Sequence, residues 1–366
     1  MSSFTYILKR IRYVNGLVRR RWYFNLRYAP LFSKEERGRI RIGFGPVISG
    51  EDDLNVRKWR IDPIVDEINK TSAIYSAGIF FRPEEMRAFD VIIIVKSFSP
   101  DFFKYIAELR AQGKKCLYDI VDNPACDENY PLYYAEQTDF LRSMDGCILS
   151  NPLQRAKIEP YCGIHTLIEH PVINTSFKQT YDTSSEIRLL VQGYAENLGF
   201  VPRLMPIIRR VSEKTRKKIS LVYHSNLPPQ YTSDDLVYVP WTVQNCFSLM
   251  TQCDIAISSK DLSNDLQREK PATKITAFMA AGLPVVCTPT AADRLVMTDT
   301  ETGYFAETDA EIEVCLEQLV IDEKSRERIG RAARASIEET YSVANITSKY
   351  LNFVDRALGG ANGKHR

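Results

Sequence analysis

Lys270-Pro-Ala-Thr-Lys-Ile-Thr-Ala-Phe-Met-Ala-Ala-Gly-Leu-Pro-Val-Val-Cys-Thr-Pro289 reads as a helix, a tight stop and a buried strand. Pro271 closes the preceding loop, and Thr273 stands where an N-cap is wanted. Ile275, Phe278 and Met279 make an apolar stripe along a helix over 273–281. Gly282 supplies the left-handed stop, and Pro284 forbids continuation. Val285 and Val286 then open a strand. A helix running through a short turn into an apolar strand is half of a βαβ unit.

The same grammar extends in both directions. Towards the N-terminus, strands are predicted at 187–193, 218–223, 236–239 and 254–258, alternating with helices at 203–214 and 243–252. Towards the C-terminus, a Thr302-Gly303-Tyr304 turn precedes helices at 309–319 and 325–338. An earlier series starts at Arg41-Ile-Gly-Phe-Gly-Pro and continues through strands at 72–75, 91–95, 115–120 and 146–149. Helices near 55–70, 102–112 and 133–143 separate them. Polar residues 174–186 divide the two series. The predicted fold is α/β, with two tandem Rossmann-like, doubly wound parallel domains facing each other across a cleft. Their expected limits are 40–175 and 176–345, with a basic segment at 1–39 and a helix and tail at 346–366. Ligands are expected at the carboxyl ends of the strands.

Lys274 is the unusual residue of the central stretch. It falls in the first turn of its helix, where the macrodipole is already positive. A lysine there costs roughly 0.3–1 kcal/mol unless an anion is present. Free helix-end amides beside a cation make a phosphate site. The competing reading is a solvated lysine tolerated at a helix end.

The stretch 279–286, Met-Ala-Ala-Gly-Leu-Pro-Val-Val, with Thr302-Gly303-Tyr304 and the Arg- and Ala-rich helix near 325–338, resembles the donor-binding region of GT-B glycosyltransferases. The likeness is to the family 4-like group (glycosyl transferases group 1). It is strong over 236–345 and covers organisation alone over 41–235. It implies transfer of a sugar, with retention, from a UDP- or GDP-linked donor to an acceptor hydroxyl, with no cofactor and no metal. Members commonly carry two glutamates eight positions apart, the second contacting the ribose. Here Glu269 stands at the first position and Ala277 at the second. Some members open this helix with Lys-Pro-x-x-Lys, which Lys270, Pro271 and Lys274 match. The resemblance thus implies a diphosphate clasp of Thr273 and Lys274, with Glu269 a candidate donor contact or a solvated loop acid.

Further donor contacts follow from topology. Trp241, Thr242 and Val243 resemble the strand-end turn whose backbone meets the nucleotide base, with Trp241 alternatively a core or lid aromatic. Gly193 lies in the first strand-to-helix turn of the second domain, and the Arg/Lys pair often found near it has no clear counterpart. Lys260, after another strand, either replaces that charge or is solvated. In the first domain Gly45, with Gly43 and Gly50, resembles the glycine loop that approaches the donor. Asp119 and Asp122 are candidates to orient the acceptor hydroxyl, and either of them to act as base in an inverting reaction. Asp122-Asn123-Pro124 reads equally as a turn. His165 and His170 read as structural. Ala277 also motivates the alternative of a catalytically inactive GT-B-like nucleotide-binding or scaffold protein.

Composition fits this picture. Of 366 residues, 44% are hydrophobic and 26% charged, a globular balance that excludes disordered and fibrous classes. Eight scattered cysteines with no Cys-x-x-Cys pair argue against zinc and for buried thiols in a reducing compartment. Val91–Val95 is too short a run to span a bilayer, and no signal peptide is visible. A cytoplasmic enzyme is expected. Net charge is +2, yet residues 1–40 hold ten Lys and Arg against two acids. Aromatics such as Trp22, Tyr23 and Phe24 interleave with them. This segment suits an anionic membrane surface at the inner face, or else reads as a basic tail or a packed helix; nucleic acid is not expected. The acceptor is then a glycan under construction, in one version lipid-linked.

Overall fold

The computed structural model describes residues 38–46, 56–96, 101–122, 131–173, 176–182 and 186–359. The basic segment 1–37, Gly50, Asn123, Pro124 and the tail 360–366 lie outside the described residues, and with them the membrane-surface expectation. Contacts group the chain into two units, Met1–Pro171 with Val343–Arg366, and Val172–Ser342.

The first unit is a parallel sheet with helices. Its strands are β1 (Ile40–Gly45), β2 (Tyr75–Ile79), β3 (Val91–Val95), β4 (Lys115–Asp119), β5 (Gly146–Leu149) and β6 (His165–Leu167). Helices α1 (Asp62–Thr71), α2 (Asp101–Ala111), α3 (Pro131–Arg142) and α4 (Gln154–Ile158) intervene. The order is β2-β1-β3-β4-β5-β6, every pairing parallel. Val91–Val95 is buried throughout, as a central strand covered on both faces must be. Strand β2 starts three residues later than the sequence pattern placed it, because Ser72 caps the end of α1 and offers its hydroxyl to the Tyr75 N–H.

The second unit repeats the plan. Strands β7 (Glu186–Gln192), β8 (Lys218–Ser225), β9 (Leu236–Pro240), β10 (Ile255–Ser258), β11 (Val285–Cys287) and β12 (Tyr304–Phe305) lie in the order β12-β11-β10-β7-β8-β9, all parallel. Helices are α5 (Val201–Thr215), α6 (Cys246–Thr251), α7 (Asp265–Arg268), α8 (Thr273–Ala280), α9 (Asp293–Val296), α10 (Asp309–Ile321) and α11 (Glu323–Thr340). The chain enters at β7, steps outward to β9, then returns to the other side of β7 at β10. That reversal is a topological switch point, where ligands of open α/β sheets bind.

Helix α12 (Val343–Ala357) returns to the first unit. There Asp119, fully buried at the end of β4, receives Arg60 Nε at 2.8 Å, Arg60 Nη2 at 3.0 Å and the Tyr350 hydroxyl at 2.5 Å. This corrects the acceptor role for Asp119: both its oxygens are engaged in tying α12 to the sheet. Burial, then the Asp119 charge, pushes the Tyr350 phenol well above its usual range. Among the described residues no helix is long and apolar enough to cross a membrane. Six of the seven described cysteines are buried free thiols, and Cys126 lies outside the described residues.

Candidate functional site

The carboxyl edge of the second sheet gathers the site. Strand β7 ends at Gln192, and Gly193 follows at φ +154°, donating its N–H to the His224 carbonyl at 3.1 Å. A Cβ on Gly193 would lie 3.2 Å from Lys274 Nζ, so a side chain there would crowd the lysine's ammonium. Lys274 therefore reaches from the first turn of α8 back to the first turn after β7, beside the switch point. Lys270 Nζ closes on Asn197 Oδ1 in the same β7–α5 connection. Among the described residues Lys274 has neither a hydrogen bond nor an ion pair from its ammonium.

Electrostatics follow from that crowding. Burial pushes the Lys274 ammonium down to about 8; repulsion from Lys260 and then Lys270 adds to this, and Asp293 opposes it. The N-cap of α8 is Ala272, which offers no side-chain acceptor. This corrects Thr273 as N-cap: it is the first helical residue, and Ala272 occupies the cap position. The Thr273 hydroxyl makes no hydrogen bond among the described residues. An uncapped helix start, an unpaired ammonium and a free hydroxyl are a set of donors without an acceptor, the complement of a phosphate group.

Residues 207–352, most of the second unit and the start of α12, match a family profile described as "Glycosyl transferase-like". Among solved structures, HepE of Anabaena in complex with UDP and glucose superposes with TM-score 0.63 at 9% identity, over 86% of this chain and 99% of that one. Sucrose-phosphate synthase of Thermosynechococcus elongatus gives 0.60 at 11% identity, over 88% and 100%. TarM gives 0.53 at 15% identity over 72% of this chain, which spans only about half (54%) of TarM. The chain has the GT-B fold of these structures, and its residues 207–352 are glycosyltransferase-like in sequence. No curated protein matches it by sequence.

The remaining residues of this GT-B fold divide sharply. Lys260 is not a spare charge: its ammonium pairs with Asp293, whose side chain is fully buried and also accepts from the Thr290 N–H and hydroxyl at 2.9 Å. Its role is corrected to holding the loop after β11. Glu269 is buried at the C-cap of α7 rather than solvated. Trp241 and Thr242 have spent their N–H groups, on the Ser225 carbonyl at 2.9 Å and Asn245 Oδ1 at 2.9 Å. Of the turn's three backbone donors only the Val243 N–H has no partner among the described residues.

In the first unit, Gly45 ends β1. A Cβ there would lie 2.2 Å from the Phe80 carbonyl, so close packing alone requires glycine and no ligand need be invoked. Asp122 follows β4 and pairs with Lys96 at 2.8 Å, a carboxylate at the carboxyl edge of its sheet.

Three groups escaped the sequence reading. Arg203 on α5 donates to Ser259 Oγ at 3.1 Å, bringing a guanidinium to the end of β10. Thr290 and Asp293 bond reciprocally, as do Thr242 and Asn245. Both pairs fit the capping spacing and were legible as such. His224, fully buried at the end of β8, had no local signal at all.

Proposed function

We propose that the protein is a glycosyltransferase moving a sugar from a UDP- or GDP-linked donor to a hydroxyl of a glycan or lipid-linked acceptor. The observation that carries this reading is Lys274: an ammonium with no partner among the described residues, held against Gly193 at the switch point and beside an uncapped helix start. Departure of a nucleoside diphosphate places growing negative charge on its oxygens. Fixed N–H groups of α8 and the Lys274 ammonium stabilise that charge without reorganising. The likeness to HepE, whose structure holds UDP and glucose, supports a sugar nucleotide as the ligand.

Retention of configuration is the proposed outcome, since it asks for no separate base. Asp122, on the sheet edge of the first unit, is the base should the reaction invert. No cofactor or metal enters the scheme. The basic aromatic segment 1–39 is proposed to hold the enzyme at an anionic, cytoplasm-facing membrane surface. Unchanged liposome binding after its deletion would count against that.

A second reading has one observation in its favour. Ala277 is buried on α8, so no carboxylate stands at the position where related sequences contact a ribose. An inactive nucleotide-binding protein would bind yet not transfer. A thermal-stabilisation screen of nucleotide sugars, followed by donor hydrolysis and transfer assays with the responding compound, separates the two. Binding raises the unfolding temperature by mass action, and turnover then decides for the enzyme.

A further inference from the structure

His224 lies fully buried at the end of β8 with both ring nitrogens engaged. Its Nε2 is 3.1 Å from Asn245 Oδ1, and its Nδ1 is 3.2 Å from Gln192 Oε1. The Asn245 amide has a fixed sense. Its Nδ2 donates to the Pro240 carbonyl at 2.9 Å, and its Oδ1 accepts the Thr242 N–H at 2.9 Å. An oxygen facing Nε2 requires that nitrogen to carry the proton. Burial pulls the imidazole below its ordinary range, so the ring is neutral and Nδ1 is an acceptor. A neutral ring of this tautomer needs the Gln192 amide turned end for end from its placed sense, so that the NH2 group rather than Oε1 meets Nδ1; the two ends are alike in shape.

This chain of three side chains crosses the carboxyl ends of three adjacent strands. Gln192 ends β7, His224 lies on β8, and Asn245 clasps the turn that leaves β9. Neighbouring strands are about 4.8 Å apart, so the turn lies on the order of 10 Å from the β7 end where Lys274 sits. A nucleotide anchored there by its diphosphate reaches towards the turn with its nucleoside. Among the described residues most hydrogen bonds that shape the 240–245 turn pass through Asn245 or its reciprocal partner Thr242; the Trp241 N–H bond to Ser225 and the Cys246 thiol's contact with the Val243 carbonyl at 3.3 Å do not.

We infer that His224 is a positioning residue for the nucleoside end of the donor site, fixing the Pro240–Asn245 turn through Asn245 and tying it to β7 through Gln192. The inference rests on the donor reading above and adds to it a residue that touches no ligand. It predicts that nucleoside recognition depends on His224 while diphosphate recognition does not.

The test compares UDP, GDP and inorganic pyrophosphate by calorimetry on the full chain, for the wild type and His224→Phe, His224→Gln and Asn245→Ala. The phenylalanine variant removes both hydrogen bonds. The glutamine variant keeps an N–H donor within reach of Asn245, and Asn245→Ala cuts the same link from the less buried end. The account expects His224→Phe and Asn245→Ala to weaken the responding nucleoside diphosphate about tenfold or more, with pyrophosphate unchanged within twofold. His224→Gln recovers most of the nucleotide affinity. Equal losses for nucleotide and pyrophosphate would assign His224 a purely structural role and overturn the inference. So would unchanged nucleotide affinity. A wild type that binds pyrophosphate and neither nucleotide refutes the inference alone, whereas one that binds none of the three refutes the donor reading with it.

Discussion

Lys274 Nζ lies 3.2 Å from where a Cβ on Gly193 would stand, so the absence of a side chain at Gly193 lets the ammonium lie close against the carboxyl end of β7. The relation joins two positions 81 residues apart in sequence. It brings a cation to a strand-to-helix turn that has none of its own.

Gly193→Ala is predicted to weaken pyrophosphate binding about tenfold, or about 1.4 kcal/mol, by displacing the ammonium. Backbone strain at φ +154° adds a stability cost of about 1–3 kcal/mol. Gly113→Ala is the control: φ is +79° there and nothing lies within 4 Å of an added Cβ. It should cost stability without touching affinity, by calorimetry and denaturant unfolding. Equal affinities for the wild type and Gly193→Ala would contradict this reading.

Binding should weaken with alkaline pH. In the free protein burial holds the Lys274 ammonium near 8, below the value of 10.5 for an ordinary lysine. The native state therefore loses this proton before the unfolded state does. Stability of the free protein consequently rises through the window from about 8 to 10.5. Anion binding needs the proton back. Affinity for pyrophosphate is flat below pH 7 and falls above 8, by at most about tenfold per unit. Calorimetry in buffers of different ionisation enthalpy should record proton uptake near pH 8. Lys274→Ala should flatten that profile.

Asp119→Ala leaves Arg60 buried and unpaired, which costs about 3–5 kcal/mol. Tyr350→Phe removes one hydrogen bond to the same carboxylate and costs about 1.5–3 kcal/mol. Both losses belong to the first unit, so denaturant unfolding should show them in one transition. Pyrophosphate binding should persist in either variant while that unit's transition moves.

How much of this was legible depended on whether the signal was local. The helix and strand of 270–289 are where the sequence put them because Gly282, Pro284 and the apolar run act within a few residues. The alternation around them carried the fold class. The N-cap assignment erred by one residue, since Pro271 and Ala272 are compatible with either start and only the backbone decides. Lys260 and Asp119 each stand at a strand's carboxyl end, which is as far as a sequence can take them. Their buried partners, Asp293 and Arg60, are 33 and 59 residues away and cancel the charge that made them attractive. His224 was invisible for the same reason: Gln192 and Asn245 meet it only across three strands. Lys274 stood out in the sequence because its oddity, a cation in the first turn of a helix, is local.

The most direct measurement is the affinity of Lys274→Ala for the nucleoside diphosphate that most stabilises the wild type, taken beside its unfolding temperature. Losing one charge-assisted contact of about 1.5–3 kcal/mol predicts at least about tenfold weaker binding. The unfolding temperature should not fall, because Lys274 has no protein partner to orphan and its loss removes an ammonium that burial and Lys260 disfavour. Lys260→Ala should behave in the opposite way, losing stability by leaving Asp293 buried and unpaired. Wild-type affinity in Lys274→Ala would contradict the account.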